Sequence, residues 1–344
     1  MLFNLAAYRR FFIYKIDHMS FKRILLIVAV TLAIQASAQN KTVVFQSDFG
    51  LKDGAVSAMK GVAMGVSPDL KLYDLTHEIP AYNIWEAAYR LEQTVSYWPA
   101  GTVFVSVVDP GVGTNRKSVV VKTKTGHYIV TPDNGTLTLI ASSLGIAERR
   151  EINEAVNRRN GSQKSYTFHG RDVYAFTAAR LASGTISFEQ IGNLLSNEVV
   201  SIPYQKALKE GNLLKGNISI LDIQYGNVWT NIPAEMVQQI NLKYGQNLSI
   251  RIYHKGTKVW EGVAPYCETF GAVAKGKPLV YLNSLMQLSI ALNMGSFADI
   301  YHVASGSDWS ISVNTVTKKI LRSIAFFTIV RMTGIIGFDA LHHY

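Results

Sequence analysis

Cysteine is almost absent from this 344-residue chain. The single Cys267 permits no intrachain disulfide and no cysteine-built zinc site, and a lone cysteine is ordinarily a small buried hydrophobe. Histidine is sparse too, eight in all, and no pair has the His-x-x-x-His spacing of a helical metal site. No internal repeat or low-complexity tract interrupts the chain. Charge is unevenly placed. Of the net +10, residues 1–38 supply +4 (five Lys/Arg against one Asp) and residues 320–344 supply +1, which leaves about +5 for residues 39–319. Basic residues are scattered rather than interleaved with aromatics, which argues against nucleic-acid binding. What is there is apolar: 48% hydrophobic residues, enough to bury a core of one large or two medium domains.

The two ends read differently from the rest. Lys22 and Arg23 precede the apolar run Ile24–Ile34, followed by Gln35-Ala36-Ser37-Ala38. This is the order of a secretory signal peptide, with cleavage expected after Ala38. The run is eleven residues long, short of the roughly 20 a membrane span needs. Export, to a periplasm, is therefore expected, with an uncleaved membrane anchor as the alternative. Met19 offers an internal start, which would make residues 1–18 an upstream extension. Residues 320–344 form an apolar tail without clean amphipathic spacing, to which no role is assigned.

From Thr42 the chain alternates strand-like and helix-like segments. Val43–Gln46, Leu70–Leu75 and Thr102–Val108 read as strands, and Val119–Lys122 with His127–Val130 as a hairpin. Asp53–Val66, Ile84–Tyr97 and Val173–Ala182 read as helices. Such alternation predicts a layered α/β, Rossmann-like domain over 39–195. After a linker at 196–214, Asn217–Gln224, Asn247–Tyr253, Lys258–Glu261, Leu279–Leu282 and Trp309–Val316 read as short strands separated by Gly/Asn turns. They predict a smaller antiparallel β-barrel domain over 215–319.

Four clusters carry chemistry, the first three at strand ends or helix entrances of the α/β part, where such folds place ligands. Ser47-Asp48-Phe49-Gly50 with Asp53 offers two carboxylates to a ribose diol, or else a turn and a helix cap. Asp109-Pro110-Gly111-Val112-Gly113-Thr114 with Arg116 is neither a Walker loop nor a dinucleotide fingerprint. Its carboxylate and guanidinium suit an ion pair aimed into a cleft, though Asp-Pro-Gly is also ordinary turn chemistry. Phe168-His169-Gly170-Arg171-Asp172 puts a histidine at a helix entrance; the plainer reading makes Asp172 a cap and His169 a surface loop residue. Asp222-Ile223-Gln224-Tyr225-Gly226-Asn227-Val228-Trp229-Thr230-Asn231 groups a carboxylate, an amide and an indole, or else a hairpin turn with Trp229 in the core.

Taken together and in order, SDFG, VVDPGVGT-x-R, PDNG, FHGRD and D-x-x-Y-GN-x-W-TN resemble the S-adenosylmethionine hydroxide adenosyltransferases, relatives of fluorinase and chlorinase. The resemblance spans about residues 42–316. It implies hydrolysis of S-adenosylmethionine to adenosine and methionine, with no cofactor and no metal. It places a water-holding set on Asp109, Arg116 and His169, the histidine being absent from the halogenating relatives. By the same resemblance Asp48 and Asp53 match ribose contacts, and Asp222, Asn227 and Trp229 match positions near the methionine. Tyr82 and Phe270 fall near the adenine-stacking aromatics, Ser284 matches the contact to the methionine carboxylate, and Asn293 is a candidate for the adenine edge. Leu285 stands where halogenases often carry arginine. The resemblance also implies a homotrimer with each active site at a subunit interface. Two other readings stay open at this point: an exported nucleoside-binding module without catalysis, and a halogenase.

Overall fold

The computed structural model describes residues 40–316. The expected leader (1–38), its cleavage after Ala38 and the apolar tail (320–344) lie outside the described residues. Contacts divide the chain into two compact units between Val200 and Ser201.

The first unit is built on a seven-stranded sheet in the order β2-β1-β3-β5-β4-β6-β7. Its strands are β1 (Thr42–Ser47), β2 (Lys71–Thr76), β3 (Val103–Val107), β4 (Ser118–Thr123), β5 (Tyr128–Pro132), β6 (Ile146–Glu151) and β7 (Leu194–Leu195). Strands β2, β1, β3 and β5 run parallel, whereas β4, β6 and β7 add antiparallel pairings. Helices α1 (Ala55–Val66), α2 (Ile84–Val95), α3 (Thr138–Ser143) and α4 (Phe176–Ala182) cover the sheet. Every residue of β1 and β3 is buried, as expected for parallel strands enclosed on both faces. Alternate side chains supply two separate cores. Val43, Phe45, Val103 and Val105 pack with Met59 of α1 and Ala178 of α4. Val44 and Phe104 pack with Leu91 of α2 and Ile140 of α3. Each large side chain buried in this way contributes about 1.5–3 kcal/mol.

The chain leaves β1 through α1 to reach β2 on one side, then returns through α2 to β3 on the other side of β1. The strand order therefore reverses between β1 and β3. The crevice outside the carboxyl ends of two such strands is where open α/β sheets bind ligands.

The second unit holds β8 (Leu208–Glu210), β9 (Leu213–Leu221), β10 (Val228–Pro233), β11 (Asn247–His254), β12 (Thr257–Pro265), β13 (Pro278–Leu282), β14 (Gln287–Leu292) and β15 (Trp309–Thr315), with short helices α5 (Ala234–Gln239) and α6 (Phe297–Tyr301). The strands form one antiparallel sheet, β12-β11-β15-β9-β10-β14-β13, with β8 paired to β9. A bridge between Tyr266 and Val280 brings its two edges together into a nearly closed barrel. The interior is aliphatic, with Leu214, Ile218, Val228, Ile250 and Ile290 among its fully buried members. Mixed α/β layers followed by an antiparallel barrel match the expected fold class.

Local differences have physical causes. The stretch 196–214 contains β8 and the start of β9, so part of it is sheet rather than linker. Strand β9 stops at Leu221 because Asp222–Asn227 turns back on itself: Gly226 N donates to Asp222 O and Asp222 N donates to Asn227 O. The helix expected from Val173 begins at Gly170, as a π-helical turn through Ala175 that runs into α4.

Candidate functional site

The carboxyl ends of β1 and β3 carry Ser47-Asp48 and Val108-Asp109. Between them opens a cavity of about 270 Å³, lined among others by Asp48, Phe49, Tyr82, Asp109, Val112 and His169.

On the β1 side the SDFG turn is tied to the end of β2. His77 Nδ1 lies 2.7 Å from Ser47 Oγ, and His77 Nε2 lies 3.0 Å from Asp74 Oδ1. Lys60 of α1 completes the chain at 2.6 Å from Asp74 Oδ2. Burial pushes the Asp74 carboxyl up, but hydrogen bonds from Lys60 and His77 outweigh it and hold the group below its ordinary value. Gly50 N donates to His77 O, so ring and carbonyl grip the same turn. Asp48 accepts from Tyr82 N at 2.9 Å. Tyr82 adopts a left-handed backbone (φ 66°), an uncommon conformation for a non-glycine residue, and its ring is exposed at the cavity. Asp53 stands apart. It is exposed, does not line the cavity, and accepts from Ala55 N at 2.8 Å in an Asx-type turn; the N-cap of α1 is Gly54, which no side chain caps.

On the β3 side Asp109 and Arg116 form a two-pronged ion pair, Nε to Oδ1 at 2.9 Å and Nη2 to Oδ2 at 2.5 Å. Both side chains are largely buried, and such forked pairs fix orientation as well as charge. The arginine's other edge donates to Ser118 Oγ at 2.9 Å. Its Nη2 also lies 2.9 Å from His169 Nδ1, so Arg116 links Asp109 to His169. Tyr174 OH, fully buried, stands 3.2 Å from Ser118 Oγ and 3.5 Å from Asp109 Oδ2.

His169 is buried, 4% exposed, so the surface-loop reading of it is set aside. Gly170 explains why this segment can approach so closely. A Cβ there would lie 3.2 Å from the Phe49 ring and 3.3 Å from Met59 Sδ. The π-helical turn follows at once, a feature often found where a helix serves a site. Asp172 is no helix cap. It is wholly buried and takes hydrogen bonds from Arg171 and Arg159. Burial raises its carboxyl, and the two guanidinium partners more than reverse that.

Arg158 and Glu154 were not singled out in the sequence. Arg158 Nη2 lies 2.9 Å from His169 Nε2 and pairs with Glu154 Oε2 at 2.5 Å. Asn157-Arg158-Arg159-Asn160 reads as a solvated polar loop, and no periodicity marks Arg158 as 7% exposed. The His169 imidazole is held below its ordinary value, first by burial and then by Arg116 and Arg158, against the opposing pull of Glu154 and Asp109. Among the described residues no group of three His, Cys, Asp or Glu side chains is placed to hold a metal ion.

The remaining candidates belong to the second unit. Asn227 is buried in the 222–227 turn and donates to Asp222 Oδ2 at 3.3 Å. Trp229 is half-buried on β10, paired in register with Ile220 and Ser289. Phe270 is exposed and packs on the Tyr281 ring, centroids 4.9 Å apart. Ser284 is exposed in the turn between β13 and β14. Asn293 uses its amide locally, donating to Val273 O at 2.7 Å, while its backbone carbonyl accepts from Gly276 N.

Comparison with known proteins adds to this geometry. The family models of the SAM hydroxide adenosyltransferase N-terminal and C-terminal domains match residues 43–192 and 216–310. An (R)-S-adenosyl-L-methionine hydrolase of Salinispora tropica is 33% identical over 265 residues, 76% of this chain and 94% of that one. A fluorinase of Actinopolyspora mzabensis is 30% identical over 291 residues, 77% of this chain and 94% of that one. The crystal structure of an uncharacterized conserved protein from Thermotoga maritima superposes with a TM-score of 0.72 at 34% identity, covering 79% of this chain and 99% of the other.

Proposed function

This chain belongs to the SAM hydroxide adenosyltransferase family, and from that premise we propose that it hydrolyses S-adenosylmethionine to adenosine and methionine. The observation that carries the reading is the contact set Asp109–Arg116–His169 at the cavity between β1 and β3.

The substrate's sulfonium is already a good leaving group, so no acid need protonate it. The protein's task is to hold a water in line behind C5′ and exclude bulk solvent. Orientation of this kind is worth about 7–11 kcal/mol. The water oxygen bonds to C5′, the C5′–S bond breaks, and its electron pair remains on sulfur as the neutral thioether of methionine. One proton is released. Asp109, its carboxylate fixed by Arg116, accepts a hydrogen bond from the water. His169, neutral because burial and two guanidiniums disfavour its cation, completes the water's hydrogen bonds, and the proton passes to solvent. Asp48, anchored by Tyr82 N, is the ribose acceptor. The second unit's Asp222, Asn227 and Trp229 are assigned to the methionine end. The reading includes a homotrimer in which each site is completed by a neighbouring subunit, and export directed by residues 1–38, which cell fractionation tests.

The fluorinase relative gives the halogenase reading its support. His169 opposes it, since the halogenating relatives lack that histidine. The name of the Salinispora relative specifies the (R) form, so both sulfonium epimers belong in the assay. Purified full-length chain is incubated with each epimer, with and without chloride or fluoride, and the products are separated by chromatography. Adenosine and methionine, formed independently of halide and abolished in His169→Ala, are expected. A halogenated nucleoside would move the protein to the halogenase reading. A thermal shift with adenosine and no product would make it a binding module.

A further inference from the structure

His169 is bracketed. Its Nδ1 faces Arg116 Nη2 and its Nε2 faces Arg158 Nη2, each at 2.9 Å. A guanidinium N–H can only donate, and a neutral imidazole has a single lone pair. One of the two arginines is therefore hydrogen-bonded at any moment, and the other faces a ring N–H. Protonating the ring would set two N–H donors against two guanidinium cations, with no acceptor on either side.

Both arginines are fixed from behind. Arg116 is held by Asp109 and Ser118. Arg158 is held by Glu154, donates to Ser165 O at 3.3 Å, and lies over the Tyr166 ring. The remaining groups around the ring are Tyr166 and Tyr174, edge-on at 6.2 and 6.4 Å between centroids. Thus the charged groups facing His169 are Asp109 and Arg116 from the loop after β3, and Glu154 and Arg158 from the turn after β6. Arg116 is already committed to the Asp109 pair. Arg158 touches neither water nor substrate in the mechanism above, although its side chain is only 5% exposed.

We propose that Arg158 is a positioning residue: its guanidinium, anchored by Glu154, donates to Nε2 of His169, holds the ring neutral and fixes its N–H on Nδ1, the nitrogen on the Arg116 side. This rests on the hydrolytic reading of the site. The two halves of the Arg158–Glu154 pair then act on the ring with opposite sign. Arg158 disfavours the imidazolium and Glu154 favours it. The opposition reaches kcat only if the protonation state of the ring governs turnover.

The test follows the imidazole of His169 by NMR in full-length protein labelled at histidine, its signal identified by its loss in His169→Gln, while kcat is measured across the same pH range. In the unaltered protein the midpoint is expected below the ordinary imidazole value of 6.5. Arg158→Gln is expected to raise that midpoint by roughly one unit or more, the usual effect of one close charge, and to carry the acid limb of kcat upward with it. Glu154→Gln is expected to lower both. Arg158→Lys, which keeps the charge, is expected to leave the midpoint below 6.5 and serves if the glutamine variant does not fold. A midpoint unmoved by Arg158→Gln, or moved the same way by both neutralisations, overturns the proposal. The NMR titration needs no turnover. Opposite shifts without any cleavage of S-adenosylmethionine would overturn the hydrolytic reading while leaving the electrostatic bracket in place.

Discussion

At the scale of single residues the account turns on side chains that can do one thing only. Asp109 is locked to Arg116 by two hydrogen bonds, so its remaining lone pairs are its only free chemistry. His169→Ala is expected to lower kcat by roughly 10²–10⁴-fold, the usual worth of a positioned acid–base group, with a much smaller change in KM; steady-state kinetics on the better epimer measures both. Asp172 has a different duty. Its depressed carboxyl contributes stability that is present above the ordinary value of 3.8 and is lost as pH falls through its lower folded value. Asp172→Asn is expected to cost roughly 1.5–3 kcal/mol at neutral pH and to flatten the loss of stability below pH 3.8, both read from urea unfolding at a series of pH values. The sign is the same for His169, in a higher pH window. Its folded value lies below the unfolded one, so the unfolded chain binds more protons and stability falls as pH drops below 6.5. Asp109, Arg116 and His169 were legible in the sequence because each sits in a short motif at a strand end or helix entrance. Arg158 and His77 were not, because their importance lies in whom they touch across 11 and 30 residues of chain. No local pattern encodes such a contact.

At the scale of elements, the site depends on how closely the His169 segment can lie against α1 and the SDFG turn. A methyl group at Gly170 would push Phe49 and Met59 aside by a few tenths of an ångström. Gly170→Ala is expected to cost about 1–3 kcal/mol through overpacking and to reduce kcat by displacing His169; differential scanning calorimetry and kinetics test the two parts. The His77 contacts work on the other wall. Since His77 holds Ser47 and Gly50, and through that turn Asp48, His77→Ala is expected to raise KM more than it lowers kcat. The reverse split would remove Asp48 from the ribose role. Sequence pattern identified the fully buried strands β1 and β3 because runs such as Val-Val-Phe and Val-Phe-Val-Ser-Val have no alternative in a parallel sheet. It missed β6, β7, β8, β10 and β14, and it started the last helix at Val173, three residues after the π-helical turn begins at Gly170. Ala-Glu-Arg-Arg-Glu in β6 has the composition of a solvated surface, and only its pairing with β4 makes it a strand. A π-turn is set by tertiary packing and leaves no signature in residue spacing.

At the scale of the whole molecule, layered α/β architecture and a nearly closed barrel arise from a change in hydrophobic rhythm. Continuous apolar strands with intervening helices give way to short strands separated by turns. That change was readable directly. The boundary was less so, because β8 is only three residues long and takes its strand form from pairing with β9. The proposed trimer is expected to appear in analytical ultracentrifugation as a single species of three chains, and a monomer with full activity would remove the shared-site part of the account. The central claim is that water, held by Asp109, Arg116 and His169, attacks C5′. The most direct measurement is mass spectrometry of adenosine formed in water labelled with heavy oxygen, from each sulfonium epimer. The account predicts one heavy atom in every adenosine released, located at the 5′ oxygen. Adenosine without the label, or a nucleoside carrying halide in its place, would contradict it.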